Sequence, residues 1–430
     1  MRANNPPSPE PNLLKNTINL RLAVICLAAA SVGLSMVLIS ISKLLLLILG
    51  ATVLLFARGV PPPSRLLKCM RTPNAVLLAL AVFAISLVWT VAPQEDALGS
   101  LAKYGKLLMV VLLLVVIRNR REAIYALGSF AMAQIFLLAS SWMLFAHLPV
   151  PWATSRMALT EYSVFSSYLD QGIISAVFAA ICWHLREYAP KRFGRKLAVV
   201  VALLALSNVF FVLSGRSGHV VSIALISIAI MWELPKKYRA VIVMLPFVLA
   251  ASLFFTSSKV RDRLTQVQTE VSAYSAQQKA NTSSGIRLEL WNTAIQAIGE
   301  HPVAGSGIGS WSTRFNQLQH EKNPAHIDIY GNGNPHQEFL LWGVQLGIPG
   351  ILLFVVLLIS MWRDSLKMET PCARATQSTV LALAVACLFN SSVYDAQIGD
   401  FFCILIGLLL ALGRQETSEL PIATHHRQPA

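Results

Sequence analysis

The sequence predicts an all-α integral membrane protein of about twelve transmembrane helices with one large polar loop. Three observations predict it. Hydrophobic residues make up 55% of the 430 and charged residues 13%, with a mean hydropathy of +0.58, so there is too little polar surface to cover a soluble globule of this size. The apolar residues form continuous runs close to the roughly 20 residues that cross a bilayer as a helix, without the alternation of a membrane barrel. The longest polar interval, residues 257–336, separates two groups of such runs.

The whole chain, 1–430, reads as one polytopic membrane domain. Residues 1–19, polar and Pro-rich, are expected to be a disordered cytoplasmic tail. The twelve runs lie near 20–37, 40–57, 74–92, 102–117, 123–146, 171–185, 197–213, 217–233, 239–256, 338–361, 375–392 and 399–413, and 415–430 is a second cytoplasmic tail. Lys and Arg in short connections are retained on the cytoplasmic side. With the N-terminus inside, the inner connections carry Arg58, Arg65, Lys68 and Arg71, then Arg118, Arg120 and Arg121, then Arg186, Lys191, Arg192, Arg195 and Lys196. Lys236, Lys237 and Arg239 follow, then Arg363, Lys367 and Arg374; the outer connections hold Glu95, Asp96, Asp170, Asp395 and Asp400. Residues 257–336, inserted between the ninth and tenth runs, then face outward. The net charge of +14 is mostly a topology signal, and with no basic soluble domain a nucleic-acid partner is excluded. Of the six cysteines, Cys26, Cys182, Cys387 and Cys403 sit in apolar runs and Cys69 and Cys372 in inner loops. They imply neither a disulfide framework nor a metal site.

Inside the polar loop, Val260, Leu264, Val267, Val271 and Tyr274 recur at helical spacing, with Arg261, Arg263 and Glu270 off the stripe. This predicts an amphipathic helix packed on the bundle or lying at the lipid surface. A second helix is predicted from about Gly285 to Glu300, with Leu288, Trp291, Ile295 and Ile298 on one face and Ser283 or Ser284 as its cap; His301-Pro302 ends it. Arg287 falls in its first turn, where free amides and the helix dipole favour an anion. A surface arginine paired with Glu289 or with a lipid phosphate accounts for it equally well. Gly305, Gly307 and Gly309 alternate through the following turn, but no Lys-Ser/Thr follows and no strand precedes, so the turn is a poor nucleotide loop. It is expected to seat Trp311 near the membrane interface.

His336 stands at the mouth of the tenth run, followed by Gln337 and Glu338. A neutral imidazole can take a proton from a hydroxyl near pH 7; an interface histidine bonded to a carbonyl is the plainer alternative. His320, His326 and Asp328 match no familiar metal-ligand spacing. Arg216, in the hairpin Ser214-Gly215-Arg216-Ser217-Gly218-His219, is a second candidate clamp on an anion, because arginine at membrane depth is costly without a partner. Arg156 is a poorer candidate, more in keeping with an interface arginine that snorkels.

Together these residues resemble the O-antigen ligase and polymerase superfamily of membrane glycosyltransferases. The resemblance rests on Ser284-Gly285-Ile286-Arg287 through Trp291, His301-Pro302-Val303-Ala304-Gly305-Ser306-Gly307, Asn334-Pro335-His336, Leu346-Gly347-Ile348-Pro349-Gly350, and Arg216 in its hairpin. In such proteins Asn often follows the histidine; here it is Gln337. The resemblance implies a GT-C-like membrane fold in the bacterial inner membrane. It also implies transfer of O-antigen from undecaprenyl diphosphate to a sugar hydroxyl of lipid A core at the periplasmic face, with membrane lipid as surroundings. Under that reading Arg216 and Arg287 bind the diphosphate and His336 acts as general base. Arg156, Trp291, Gln337 and Glu338 are possible substrate contacts. No cofactor or metal is expected, since no Asp-x-Asp pair lies on the outer face, and direct displacement inverts the anomeric centre. An O-antigen polymerase, an O-linked protein oligosaccharyltransferase and, outside this class, a lipid or glycan transporter are the alternatives.

Overall fold

The structure is a computed structural model that describes residues 11–56, 69–189, 191–235, 237–238, 244–256, 262, 265, 283–324 and 333–414. Among these residues there are helices and no strands. In chain order the helices are α1 (Pro11–Ser31), α2 (Met36–Phe56), α3 (Thr72–Ile85), α4 (Gln94–Tyr104), α5 (Leu108–Val116), α6 (Arg120–Phe145), α7 (Tyr168–Leu185), α8 (Arg192–Ser207), α9 (Arg216–Glu233) and α10 (Leu245–Thr256). Then come α11 (Ser283–Glu300), α12 (Trp311–Lys322), α13 (Glu338–Ser365), α14 (Thr370–Cys387) and α15 (Ala396–Gly413).

A helix overlaps each of the twelve predicted runs, but among the described residues seven are long and apolar enough to cross a membrane: Met36–Leu55, Gln94–Val116, Arg120–Phe145, Tyr168–Tyr188, Arg192–Val212, Glu338–Ser365 and Ala396–Gly413. The others are shorter or more polar. The apolar helices Leu20–Ser31 and Thr72–Val88 fall below the length, and α9 and α14 carry Arg216 and His219, and Arg374 and Gln377. The expected tail 1–19 is corrected at its end: Pro11 opens α1, since proline at a first helical position lacks only an amide that would be unpaired anyway. The helix expected over 260–274 and the tail 415–430 lie outside the described residues.

Two ion pairs link helices of the bundle. Lys43 of α2 meets Asp400 of α15 at 2.6 Å, and Arg21 of α1 is paired with Glu122 of α6, both buried. Each ion is matched from another helix, which is how charges at such depth are tolerated.

Two ends of the bundle can be told apart. At one end Arg120 meets Glu369 at 2.6 Å, Arg374 meets Glu233 at 3.1 Å, and Arg71 and Thr72 donate their amides to the Asp364 carboxylate. At the other end the first turns of α7, α9, α13 and α15 come together. There α7 and α9 approach closely: a Cβ on Gly218 would lie 3.0 Å from the Gly172 backbone, and one on Gly215 3.0 Å from the Tyr168 carbonyl. Small residues are what let helix backbones in a membrane come this near. His219, in the same hairpin, donates from Nε2 to the Val209 carbonyl at 2.9 Å and stacks on Phe210, so it serves packing.

The Gly-rich turn is a docking device. Inside α13, Gly347 has φ +70° and Pro349 has no amide hydrogen, so the carbonyls of Val344 and Gln345 lose their helical partners. Ser306 N–H takes the first at 2.8 Å and Gly307 N–H the second at 2.9 Å, while Ile348 N–H turns to the Pro302 carbonyl at 2.8 Å. The kink in α13 and the turn 302–309 thus satisfy each other. Three more amides of the turn are also committed: Gly305 to His301, Ile308 to the Ser86 hydroxyl, Gly309 to the Gln345 side chain. From Gly305 to Gly309 every amide is thus engaged within the protein. Gly305, Gly307 and Gly309 have φ of +63°, +86° and +77°, and a Cβ on Gly307 would fall 2.2 Å from Thr90 Cα. Gly307→Ala combines that overlap with an unfavourable backbone, and about 1–3 kcal/mol of destabilisation is expected. A lowered thermal unfolding midpoint in detergent checks this; an unchanged midpoint refutes it. Trp311, expected near the membrane interface, is 1% exposed and packs on Phe315.

Candidate active site

Arg216 is the first residue of α9, and its guanidinium donates to the Ser284 hydroxyl of α11 at 3.0 Å. The helix starts at Ser283, so both serines lie within it. The shift also puts Arg287 at the start of the second turn. Arg287 is half-buried and within Coulombic reach of Arg216 and of Tyr168, the first residue of α7. Burial, and then the Arg216 charge, lower its pKa from the ordinary arginine value, and a guanidinium stays charged in proteins. Two cations held side by side at the mouths of helices repel each other, which is an arrangement that an anion between them relieves.

The face of α11 differs from the expected one. Leu290, Thr293, Ala294 and Ala297 are buried, Ile295 is 58% exposed, and Trp291 and Ile298 are half-buried. α11 packs on α13, where a Cβ on Gly343 would lie 2.6 Å from Ile298 Cδ1. Trp291 packs at the edge of the bundle core, one turn beyond Arg287.

His336 is the second centre. Its φ of +53° is uncommon for a side chain bearing a Cβ and is held by its neighbours. Its backbone N–H donates to Asn334 Oδ1 at 2.8 Å, and its Nδ1 lies 3.2 Å from Asn390 Oδ1. Asn390 Nδ2 donates to Asp395 Oδ2 at 2.9 Å, and Asn334 Nδ2 to Asp395 Oδ1 at 3.1 Å. Burial pushes the Asp395 carboxyl up from the usual carboxylate range; His336, the Asn390 amide, Lys106 and Lys103 oppose this.

Gln337 and Glu338, expected as substrate contacts, have structural posts. Gln337 Oε1 caps α13 by accepting Leu340 N–H at 2.6 Å. Glu338 is 0% exposed and accepts the amides of Val393 and Tyr394 at 2.9 and 3.1 Å and Trp342 Nε1 at 2.9 Å. Lys106 Nζ holds the carbonyls of Tyr394 and Asp395 at 3.2 and 2.5 Å. The connection before α15 is therefore fixed from both sides, by an acid on its amides and an ammonium on its carbonyls.

The first turn of α7 lies within electrostatic reach of both centres. Tyr168 is the residue near Arg287, and Asp170, two residues on, is within Coulombic reach of Asp395. Arg156 is exposed in the connection before α7. Lys103 of α4 lies over the Tyr394 ring at 4.2 Å, adding a cation beside the His336 turn. Among the described residues no three His, Cys, Asp or Glu side chains converge as metal ligands; His326 and Asp328 lie outside them.

Sequence reasoning missed Tyr168, Asn390 and Lys103 and read Asp395 only as an outer charge. Asn334 was part of a quoted motif, but nothing local announced that its amide would face a carboxylate 61 residues away.

Comparison with known proteins gives two findings. A family model described as O-antigen ligase matches residues 200–355. An uncharacterized protein of Haemophilus influenzae is 20% identical over 309 residues, 70% of this chain and 74% of that protein. The matched segment contains Arg216, Arg287 and His336, whereas Tyr168, Asn390 and Asp395 lie outside it.

Proposed function

We propose, for a chain whose residues 200–355 match an O-antigen ligase family model, that it ligates O-antigen from undecaprenyl diphosphate to a hydroxyl of lipid A core. The reaction takes place at the periplasmic face of the bacterial inner membrane. The observation that carries this is that Arg216 bonds Ser284, about one turn before Arg287 on α11, which puts two guanidinium groups in the same neighbourhood. A diphosphate departs readily once its developing charge is met, and preorganised donors aimed at that charge are the largest contribution a site of this kind can make. Arginine suits the task because its planar fork binds phosphate oxygens two at a time. His336 removes the proton from the acceptor hydroxyl as its oxygen attacks the anomeric carbon. The carbon–oxygen bond to the diphosphate breaks in the same displacement, so the configuration inverts.

The site is proposed to work without a metal ion, the two arginines standing where other transferases use a divalent ion. Activity is expected to survive exhaustive chelation; loss that a divalent ion restores would overturn this. The deciding assay incubates the purified protein with carrier-linked glycan and lipid A core and analyses both lipids. Glycan on lipid A core supports ligation. Extension of a second carrier-linked glycan in its place would make the protein a polymerase, and transfer to an added protein acceptor an O-linked oligosaccharyltransferase. Movement of the carrier lipid across a vesicle bilayer with no transfer would make it a transporter.

A further inference from the structure

We infer that Asp395 is a positioning residue that sets which nitrogen of His336 is the base. This rests on the reading of His336 given above and names how that side chain is prepared. The chain of donors and acceptors has one solution. An ionised carboxylate can only accept, so the Asn390 amide nitrogen must face Asp395 Oδ2, at 2.9 Å, and its carbonyl oxygen must face His336 Nδ1, at 3.2 Å. A carbonyl oxygen also only accepts, so Nδ1 carries the hydrogen and donates it. In the neutral ring Nε2 is then the bare nitrogen, the one able to take a proton.

Asp395 is placed for this at the expense of an ordinary task. It is the N-cap of α15, where aspartate usually accepts an amide of the first turn, yet its side chain makes no capping bond. Its two oxygens go to Asn390 and to Asn334, and Asn334 in turn holds the His336 amide. One carboxylate thus fixes both the ring and the strained backbone of the same histidine. Glu338 and Lys106 hold the Asp395 backbone segment rigid from α13 and from the turn between α4 and α5.

The test uses the full-length protein with carrier-linked glycan and lipid A core, and compares Asp395→Asn with wild type in kcat, in KM for the donor, and in the pH profile of kcat/KM. The expected result is a fall in kcat of about 10- to 100-fold, the range seen when an outer partner of a ligating histidine is removed, with donor KM unchanged. The charged groups facing Asp395 are His336, Lys103, Lys106, Asp170 and Glu338. Loss of its negative charge destabilises the imidazolium, so the acid limb of the profile moves to lower pH. Asn390→Ala should produce the same fall, and the double variant should be no worse than the poorer single one, because both act on one ring. An unchanged kcat, a fall matched by loss of folded protein with an unmoved pH profile, or multiplicative losses in the double variant overturn the inference. If Asp395→Asn does not fold, Asn390→Ala carries the same comparison. The underlying reading fails separately: near-wild-type transfer by His336→Ala removes the base itself. Impaired His336→Ala beside unimpaired Asp395→Asn removes only the role of Asp395.

Discussion

Arg287→Ala and Arg216→Ala are each expected to abolish glycan transfer while the protein stays inserted and folded. Removing one preorganised donor from a site of developing negative charge typically costs about 10²–10³ in rate, and here each donor is a full guanidinium. The structure separates this from a loss of fold. Arg287 is half-buried beside Arg216, and that neighbour and burial both act against its charged form. Its truncation therefore relieves an unfavourable contact, and the thermal midpoint of Arg287→Ala is expected to be no lower than wild type. Arg216→Ala loses its bond to Ser284, worth about 1 kcal/mol on average, so a small drop is expected there. Lysine at either position keeps the charge and loses the two-pronged grip, so partial activity is expected. O-antigen still attached to lipid A core in cells carrying either alanine variant would remove the electrostatic basis of the proposal.

His336→Ala is expected to lower the transfer rate by about 10²–10⁴, the usual worth of a positioned general base. Because His336 adopts φ +53°, a loss could also come from a backbone that alanine holds less well. His336→Asn controls for this, since asparagine tolerates the left-handed region several times more readily than most residues. Both variants should be impaired to a similar degree if the imidazole does the chemistry. A near-normal rate for His336→Asn would assign the position to turn geometry.

Much of the molecule was legible because membrane helices declare themselves by length and apolarity. The helices over 120–145, 192–212 and 338–365 follow directly from runs that no soluble helix would sustain. The α11 helix was also legible, from its spacing and from the His301-Pro302 stop. Its inner face was not: sequence favoured the bulky stripe through Trp291 and Ile295, while the fold buries Leu290, Ala294 and Ala297. Hydrophobic periodicity reports which side avoids water, and beside a membrane two sides do. The glycine turn was read as a turn, but its partner, the kink at Gly347, could not be foreseen, because the two lie about 40 residues apart and meet only when α13 folds back on the loop.

For the site, the sequence by itself determined which residue types are available: two arginines in polar connections and a histidine at the start of a long apolar helix, with chemistry fixed by charge and proton affinity. Tertiary structure alone decided their company. It brought Arg216 against Ser284 and beside Arg287, set Asp395 behind Asn390 and His336, and turned Gln337 and Glu338 into a cap and an anchor. The physical reason is that a side chain's charge and hydrogen-bonding capacity are properties of the residue, whereas which group satisfies them depends on helices distant in sequence sharing one end of a bundle.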